Sequence, residues 1–443
     1  MKFIRKIVFL LIICIEITNM TTINALASAT NDIANSPNWP EGPSVTAESA
    51  ILMDANTGTI LFEKRPHEEL YPASITKILT TLIALENCNL SDVLTFSKNA
   101  IYNLRLDSSK IYANVGEKLT VEQCLYAIML ASAGDCSNGI AEYISGSNEA
   151  FAELMNKKAK DLGCQNTHFV NPHGMPDTNH YTSAYDMALI TKAALQNEQF
   201  RKIAGTKKYV IPPTNLQEES RVLINHHKML IESNYTYEGC EGGKTGYTDA
   251  SGNTLVTYAK RGDIELICVI LKDAPKEHYT DTAKLFDWGF ENFKSLNISS
   301  YLSENQLSNY SLFDKAEESL DVTSYDIDID KNSSILIPKA ASFDDVKPTF
   351  IKNNKDSINP SISSISYTYA GKEVGSVTVE FTRKPKYETK NNTDSNNIED
   401  ISKEPITAEN HNKIFTTSFF IIIFTIFIII ISIVIFYIFK RKG

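Results

Sequence analysis

Pro72-Ala73-Ser74-Ile75-Thr76-Lys77-Ile78-Leu79 is where the chain changes period. Before it, Ala50-Ile51-Leu52-Met53-Asp54 and Thr59-Ile60-Leu61-Phe62 flank a turn at Asn56-Thr57-Gly58, the pattern of a β-hairpin. After Pro72, apolar residues recur at Ile75, Ile78, Leu79, Leu82 and Ile83, which is helical spacing, and proline suits the first turn of a helix. Ser74 and Lys77, three apart, then share a face, so the amine can reach the hydroxyl. A serine hydroxyl is a poor nucleophile until a base takes its proton. Lysine can be that base only when desolvation or a second cation lowers its pKa, and the isoleucines around it predict a buried helix. The helix N-terminus would also favour negative charge developing at an attacked oxygen. Alone, the tetrad also fits a surface Ser and Lys on an amphipathic helix.

Working outward, Ser-x-x-Lys occurs once in the chain, and so does Lys244-Thr245-Gly246, which follows Gly242-Gly243 just before a strand. A cation and a hydroxyl on an edge strand can hold a carboxylate, and glycine lets a ligand backbone come close. Between the two lies Ser132-Ala133-Gly134-Asp135, in a helix-to-helix region within a helical stretch predicted from Val121 to Ser145. Further helices are predicted from Glu149 to Leu162, stopped by Gly163, and from Ser183 onward. Strands are predicted at Thr254 to Lys260 and Ile264 to Leu271, around an Arg261-Gly262-Asp263 turn. Strands first, helices in the middle and strands last predict an α+β fold, an antiparallel sheet covered by helices.

The ends of the chain carry a different message. Lys2, Arg5 and Lys6 precede an apolar run from Ile7 to Ile15 and a small-residue site at Ala25-Leu26-Ala27-Ser28-Ala29, so residues 1–27 read as a secretory signal. Thr416 to Phe439 is 24 residues without a charge, followed by Lys440-Arg441-Lys442. About 20 apolar residues cross a bilayer, so 416–439 reads as a transmembrane helix with its basic tail in the cytoplasm. Residues 386–412 are polar and read as a flexible linker, and 297–385 as a small β-rich domain of short alternating runs. A net charge of −10 argues against nucleic acid as a partner. The six cysteines beyond Cys14 are irregularly spaced and read as small core residues. His173, His226 and His227 are scattered, with no metal-binding spacing, and read as surface or cleft residues; no metal or cofactor is predicted.

Ser-x-x-Lys and Lys-Thr-Gly, with Ser132 between them, make up most of the motif set of penicillin-binding proteins and β-lactamases. The chain resembles the low-molecular-mass penicillin-binding proteins of the serine D-alanyl-D-alanine carboxypeptidase type. The resemblance runs from Ala47 to Phe293 and includes Asn166-Thr167-His168-Phe169-Val170-Asn171-Pro172-His173-Gly174, His180-Tyr181-Thr182-Ser183-Ala184-Tyr185-Asp186 and Trp288-Gly289-Phe290. It implies a penicillin-binding/β-lactamase-like transpeptidase fold over residues 40–295. It also implies removal of the terminal D-Ala from peptidoglycan stem peptides through an acyl-enzyme, and acylation by β-lactam antibiotics.

By that resemblance Ser74 is the nucleophile, Lys77 its base and Ser132 a proton relay. Lys244 and Thr245 hold the substrate carboxylate, Gly246 lets it approach, and the N–H groups of Ser74 and Tyr247 form the oxyanion hole. The expected location is the cell membrane, single-pass, with the catalytic domain outside. One position departs from the family: Gly134 stands where an asparagine is usual, and its amide would have oriented the substrate. Two other readings stay open. One is a β-lactamase, which needs a Glu-x-x-Leu-Asn loop that the chain lacks between Ser132 and Lys244. The other is a non-catalytic peptidoglycan-binding scaffold.

Overall fold

A computed structural model describes residues 39–301, 325–330, 332–352 and 362–383. The signal 1–27, the linker 386–412 and the span 416–439 lie outside the described residues. Among those described, no helix is long and apolar enough to cross a membrane.

Strands β1 (Ser49–Asp54) and β2 (Ile60–Lys64) form the N-terminal hairpin. A 3-10 turn at Ala73–Thr76 leads into α1 (Lys77–Asn87). A helical layer follows: α2 (Lys98–Tyr102), α3 (Val121–Leu130), α4 (Gly134–Ser145), α5 (Asn148–Asp161), α6 (Ala184–Ala194) and α7 (Glu198–Ala204). Two short antiparallel pairs also form, β3 (Val93–Thr95) with β4 (Lys118–Thr120), and β5 (Lys208–Ile211) with β6 (Arg221–Ile224). The chain then returns to the sheet as β7 (Cys240–Thr248), β8 (Gly252–Arg261) and β9 (Ile264–Asp273), and α8 (Glu277–Asn292) closes it. The sheet is antiparallel in the order β2-β1-β9-β8-β7, which leaves β7 at an edge.

Side chains alternate across a strand, and here both faces are covered. Ile51, Met53, Val256, Ile267 and Val269 pack under the helical layer with Ile75, Ile78 and Leu79. Ala50, Leu52, Leu255, Leu266, Cys268 and Ile270 pack against Phe286 and Phe290 of α8 on the other face. Burial on both faces is why Ile264–Leu271 reads as an almost unbroken apolar run. A third core of Ile335, Ile337, Ile365, Val374 and Val377 lies among β10 (Phe293–Asn297), β11 (Tyr325–Ile329), β12 (Ser334–Pro338), β13 (Lys347–Lys352), β14 (Ile362–Tyr369) and β15 (Lys372–Arg383). These strands pair as β10-β12 and β11-β15-β14-β13. Trp39 links this core to the previous one, its ring 5.0 Å from Phe293 and 6.4 Å from Tyr369. The six described cysteines are free thiols; Cys124, Cys136 and Cys268 are buried, and Cys88, Cys164 and Cys240 half-buried.

Three local differences from the sequence expectations bear on the site. The helix predicted from Pro72 begins as a 3-10 turn, because Ala73 adopts φ 51 and delays α-helical bonding to Lys77. The region Val121 to Ser145 is two helices, broken at residues 131–133 where Ser132 has φ 60. Lys244-Thr245-Gly246 lies inside β7 instead of before a strand, three glycines having masked the strand pattern.

Candidate active site

The turn bearing Ser74 is clamped between the sheet and a loop. Thr254 Oγ1, on β8, donates to the Pro72 carbonyl at 2.8 Å. Gly174, at φ 87, backs onto Ala73 so closely that a Cβ there would overlap the Ala73 carbonyl. Gly246 on β7 is packed against the turn from the other side: a Cβ at 246 would lie 2.9 Å from the Ser74 amide nitrogen. Thr76 Oγ1 meets His180 Nε2 at 2.9 Å, which ties the turn to the segment before α6.

Residues three apart eclipse in a 3-10 helix, and this aligns Lys77 with Ser74. Lys77 Nζ donates to Ser74 Oγ at 3.1 Å and also to the His173 carbonyl. That carbonyl is held in place by Asn171, whose Oδ1 accepts from Gly174 N at 2.7 Å, and by Thr80 Oγ1, which donates to Pro172 O at 2.7 Å. Lys77 is 3% exposed. Burial, and then the positive charge of Lys244, push its amine well below the usual lysine range, against a smaller opposing pull from Asp135. The amine therefore gives up its proton more readily than an exposed lysine.

Ser132 occupies the break between α3 and α4. Its left-handed backbone costs a non-glycine residue about 1–3 kcal/mol and is held by Ala133 N donating to Ala127 O at 3.1 Å. There Ser132 Oγ accepts from Lys244 Nζ at 3.2 Å, while the same amine donates to the Thr245 carbonyl at 2.9 Å. Burial lowers Lys244 to about 7. Both amines are pushed below the usual lysine range, Lys77 by burial and by the charge of Lys244, and Lys244 by burial.

Ser74, Lys77, Ser132, Lys244 and Gly246 thus come together at the edge of β7. Thr245 stands opposite Leu255 in the β7-β8 register. Tyr247 follows at the mouth, its side chain 61% exposed and its phenol donating to Asp249 Oδ1 at 3.1 Å. His173 lines the neighbouring cleft. His227 is a correction to the surface reading: it is buried behind β7, with Nε2 3.0 Å from Thr257 Oγ1. Among the described residues no group of His, Cys, Asp or Glu is gathered as a metal site would need.

Sequence reasoning missed the supports around these residues. Asp135 is buried and accepts from Ile111 N and Ala113 N, each at 3.1 Å, so it ties a surface loop to the start of α4. Its carboxyl is pushed up by burial. The only sequence signal was an acidic residue in a helix first turn, which is common enough to say little. The His173 carbonyl is main chain and has no side-chain signature.

The family model described as D-alanyl-D-alanine carboxypeptidase matches residues 35–275. D-alanyl-D-alanine carboxypeptidase DacF of Bacillus subtilis (strain 168) is 36% identical over 255 residues, covering 56% of this chain and 63% of that protein. D-alanyl-D-alanine carboxypeptidase DacA of Haemophilus influenzae is 31% identical over 277 residues, covering 60% of this chain and 68% of that one. The chain therefore spans only about two thirds of the length of these relatives. The crystal structure of penicillin binding protein 5 from Haemophilus influenzae superimposes with a TM-score of 0.60 at 26% identity, covering 78% of this chain and 99% of that one. The extent of the family match, together with the shared fold, establishes that this chain belongs to the D-alanyl-D-alanine carboxypeptidase family of serine peptidases.

Proposed function

We propose that the chain is a serine D-alanyl-D-alanine carboxypeptidase acting on peptidoglycan stem peptides. The observation that carries this reading is the buried amine of Lys77, 3.1 Å from Ser74 Oγ and with its proton affinity lowered by burial and by Lys244. Ser74 Oγ attacks the carbonyl of the penultimate D-Ala while its proton passes to Lys77, a step of general-base assistance contributing about 10²–10⁴ in rate. The N–H groups of Ser74 and Tyr247 stabilise the oxyanion, each by about 2.7–4 kcal/mol. Lys244 and Thr245 hold the terminal carboxylate, and Gly246 keeps β7 close enough to Ser74 for this. The C–N bond breaks as Ser132 relays a proton to the leaving amine, and D-Ala departs. Water, deprotonated by Lys77, then hydrolyses the ester and returns the proton to Ser74. A β-lactam enters by the same attack, but its cleaved amide stays tethered, so the acyl-enzyme persists.

The signal 1–27 and the apolar span 416–439 support an exported protein with one membrane anchor. In this layout residues 40–295 are the catalytic domain, 297–385 a β-rich domain and 386–412 a linker, with catalysis outside the cell.

Gly134, in the place of the usual asparagine, favours one second reading, a catalytically weak peptidoglycan-binding homologue. Full-length protein incubated with a fluorescent penicillin separates the two readings. Stable label that disappears in Ser74→Ala, with D-Ala released from a pentapeptide, is the expected result. Absence of Ser74-dependent label would favour the scaffold, and rapid loss of label a β-lactamase.

A further inference from the structure

The place of the missing asparagine is already taken. A Cβ at Gly134 would lie 3.1 Å from Leu104 Cδ2, 3.3 Å from the Ser109 carbonyl oxygen and 3.6 Å from Leu104 Cδ1. The first contact is tighter than ordinary van der Waals separation, so a side chain at 134 would press on Leu104 and make it give by a few tenths of an ångström.

Leu104 is held there by the start of α4. Gly134 N donates to Ser109 O at 2.8 Å. Asp135 takes the N–H groups of Ile111 and Ala113, each at 3.1 Å. Asn138 Nδ2 donates to the Ala100 and Asn103 carbonyls at 3.2 and 3.5 Å. Three consecutive sites along one helix thus fix the loop on both sides of Leu104. Leu104 is half-buried and forms part of the wall of a cleft of about 390 Å³ whose other lining residues include Asn148, Asn171 and His173. The His173 carbonyl accepts the hydrogen bond from Lys77, so this cleft adjoins the reacting pair.

We propose that Leu104 is a specificity-determining residue: seated over Gly134, it replaces a hydrogen-bonding amide with an apolar wall that contacts the acyl-side substituent of the donor. The inference rests on the reading of Ser74 as the acylated nucleophile. Donors with an apolar group on the acyl side gain a contact here, and donors that present only a polar amide lose a partner. Gly134 and Leu104 act as a pair, because any side chain at 134 makes the leucine give way.

The test compares acylation of the full-length protein by benzylpenicillin, which carries an aromatic acyl side chain, and by the penicillin nucleus lacking any acyl side chain. Leu104→Ala should slow acylation by benzylpenicillin about tenfold and leave the bare nucleus within about twofold. A merely structural role would slow both alike, and that result would overturn the proposal. Gly134→Asn should slow benzylpenicillin acylation while Leu104 is present, and Leu104→Ala combined with Gly134→Asn should recover part of the loss. Faster acylation in Gly134→Asn alone would also overturn it. If neither probe labels Ser74, the reading of the site fails together with the inference. Ser74-dependent label with equal Leu104→Ala effects sinks only the inference.

Discussion

Lys244 Nζ donates to Ser132 Oγ at 3.2 Å, joining the edge of the sheet to the break between two helices across 112 residues of chain. The charge of the same Lys244 also lowers the proton affinity of Lys77, so the two amines are coupled. Neither residue could do this at a surface, where water would screen the two amines from each other.

Because Lys77 must be able to shed its proton, Lys77→Arg should lower the rate of acylation by benzylpenicillin by about 10²–10⁴, since arginine stays charged. The variant keeps most of the volume but cannot give up its proton. Stopped-flow acylation at neutral pH measures the change, and a rate close to the parent would remove Lys77 from the role of base.

The two amines predict a bell-shaped pH profile. Burial lowers Lys244 to about 7, so its cation is lost as pH rises through that midpoint and carboxylate binding weakens on the alkaline side. Lys77, also pushed down by burial and by Lys244, regains its proton as pH falls and gives the acid limb. These midpoints belong to the coupled pair in the free enzyme. Acylation efficiency against pH reads them, and an alkaline limb that does not appear near that midpoint would contradict a charged Lys244 as the anchor.

Gly246 is required by proximity. A Cβ at 246 would lie 2.9 Å from Ser74 N and overlap Thr254 Oγ1, so Gly246→Ala must push β7 away from the nucleophile. A displacement on the order of 1 Å costs about a hundredfold in rate. The expected signature is slow acylation with a nearly unchanged melting temperature; normal acylation would show that β7 tolerates the shift.

His227 makes the fold acid-sensitive. It is buried, its Nδ1 has no partner among the described residues, and burial lowers its pKa from 6.5 to about 4. Protonating it would leave a buried N–H unpaired. Between those two values the unfolded chain binds more protons than the folded one, so stability falls as pH drops through this window. His227→Gln, which keeps a polar group but cannot titrate, should remove about 2 kcal/mol of the loss between neutral pH and about pH 5. Denaturant midpoints at the two pH values check it; equal losses in both proteins would assign the acid sensitivity elsewhere.

Much of the site was legible because its chemistry is written in short spacings. Ser74 and Lys77 are three residues apart, and local geometry alone brings them together. Lys244-Thr245-Gly246 was visible as a motif, but its strand was not, since glycines that let β7 approach Ser74 also erase the strand pattern. The break at Ser132 was legible as a junction between helices, but not its left-handed turn: Ala131 and Ala133 are good helix formers, and the turn is held by Ala133 bonding to Ala127 and Gly134 to Ser109.

By itself, the sequence determined an α+β arrangement with covered strands and put Ser74 and Lys77 within reach of each other, because helical and strand periods and i,i+3 spacing are local properties. Tertiary structure alone decided how low the Lys77 amine is pushed, since that depends on burial and on a cation 167 positions away in the chain. It also decided that Leu104 fills the space over Gly134. Desolvation and occupied volume are properties of what surrounds a residue in space, and no stretch of sequence contains its own surroundings.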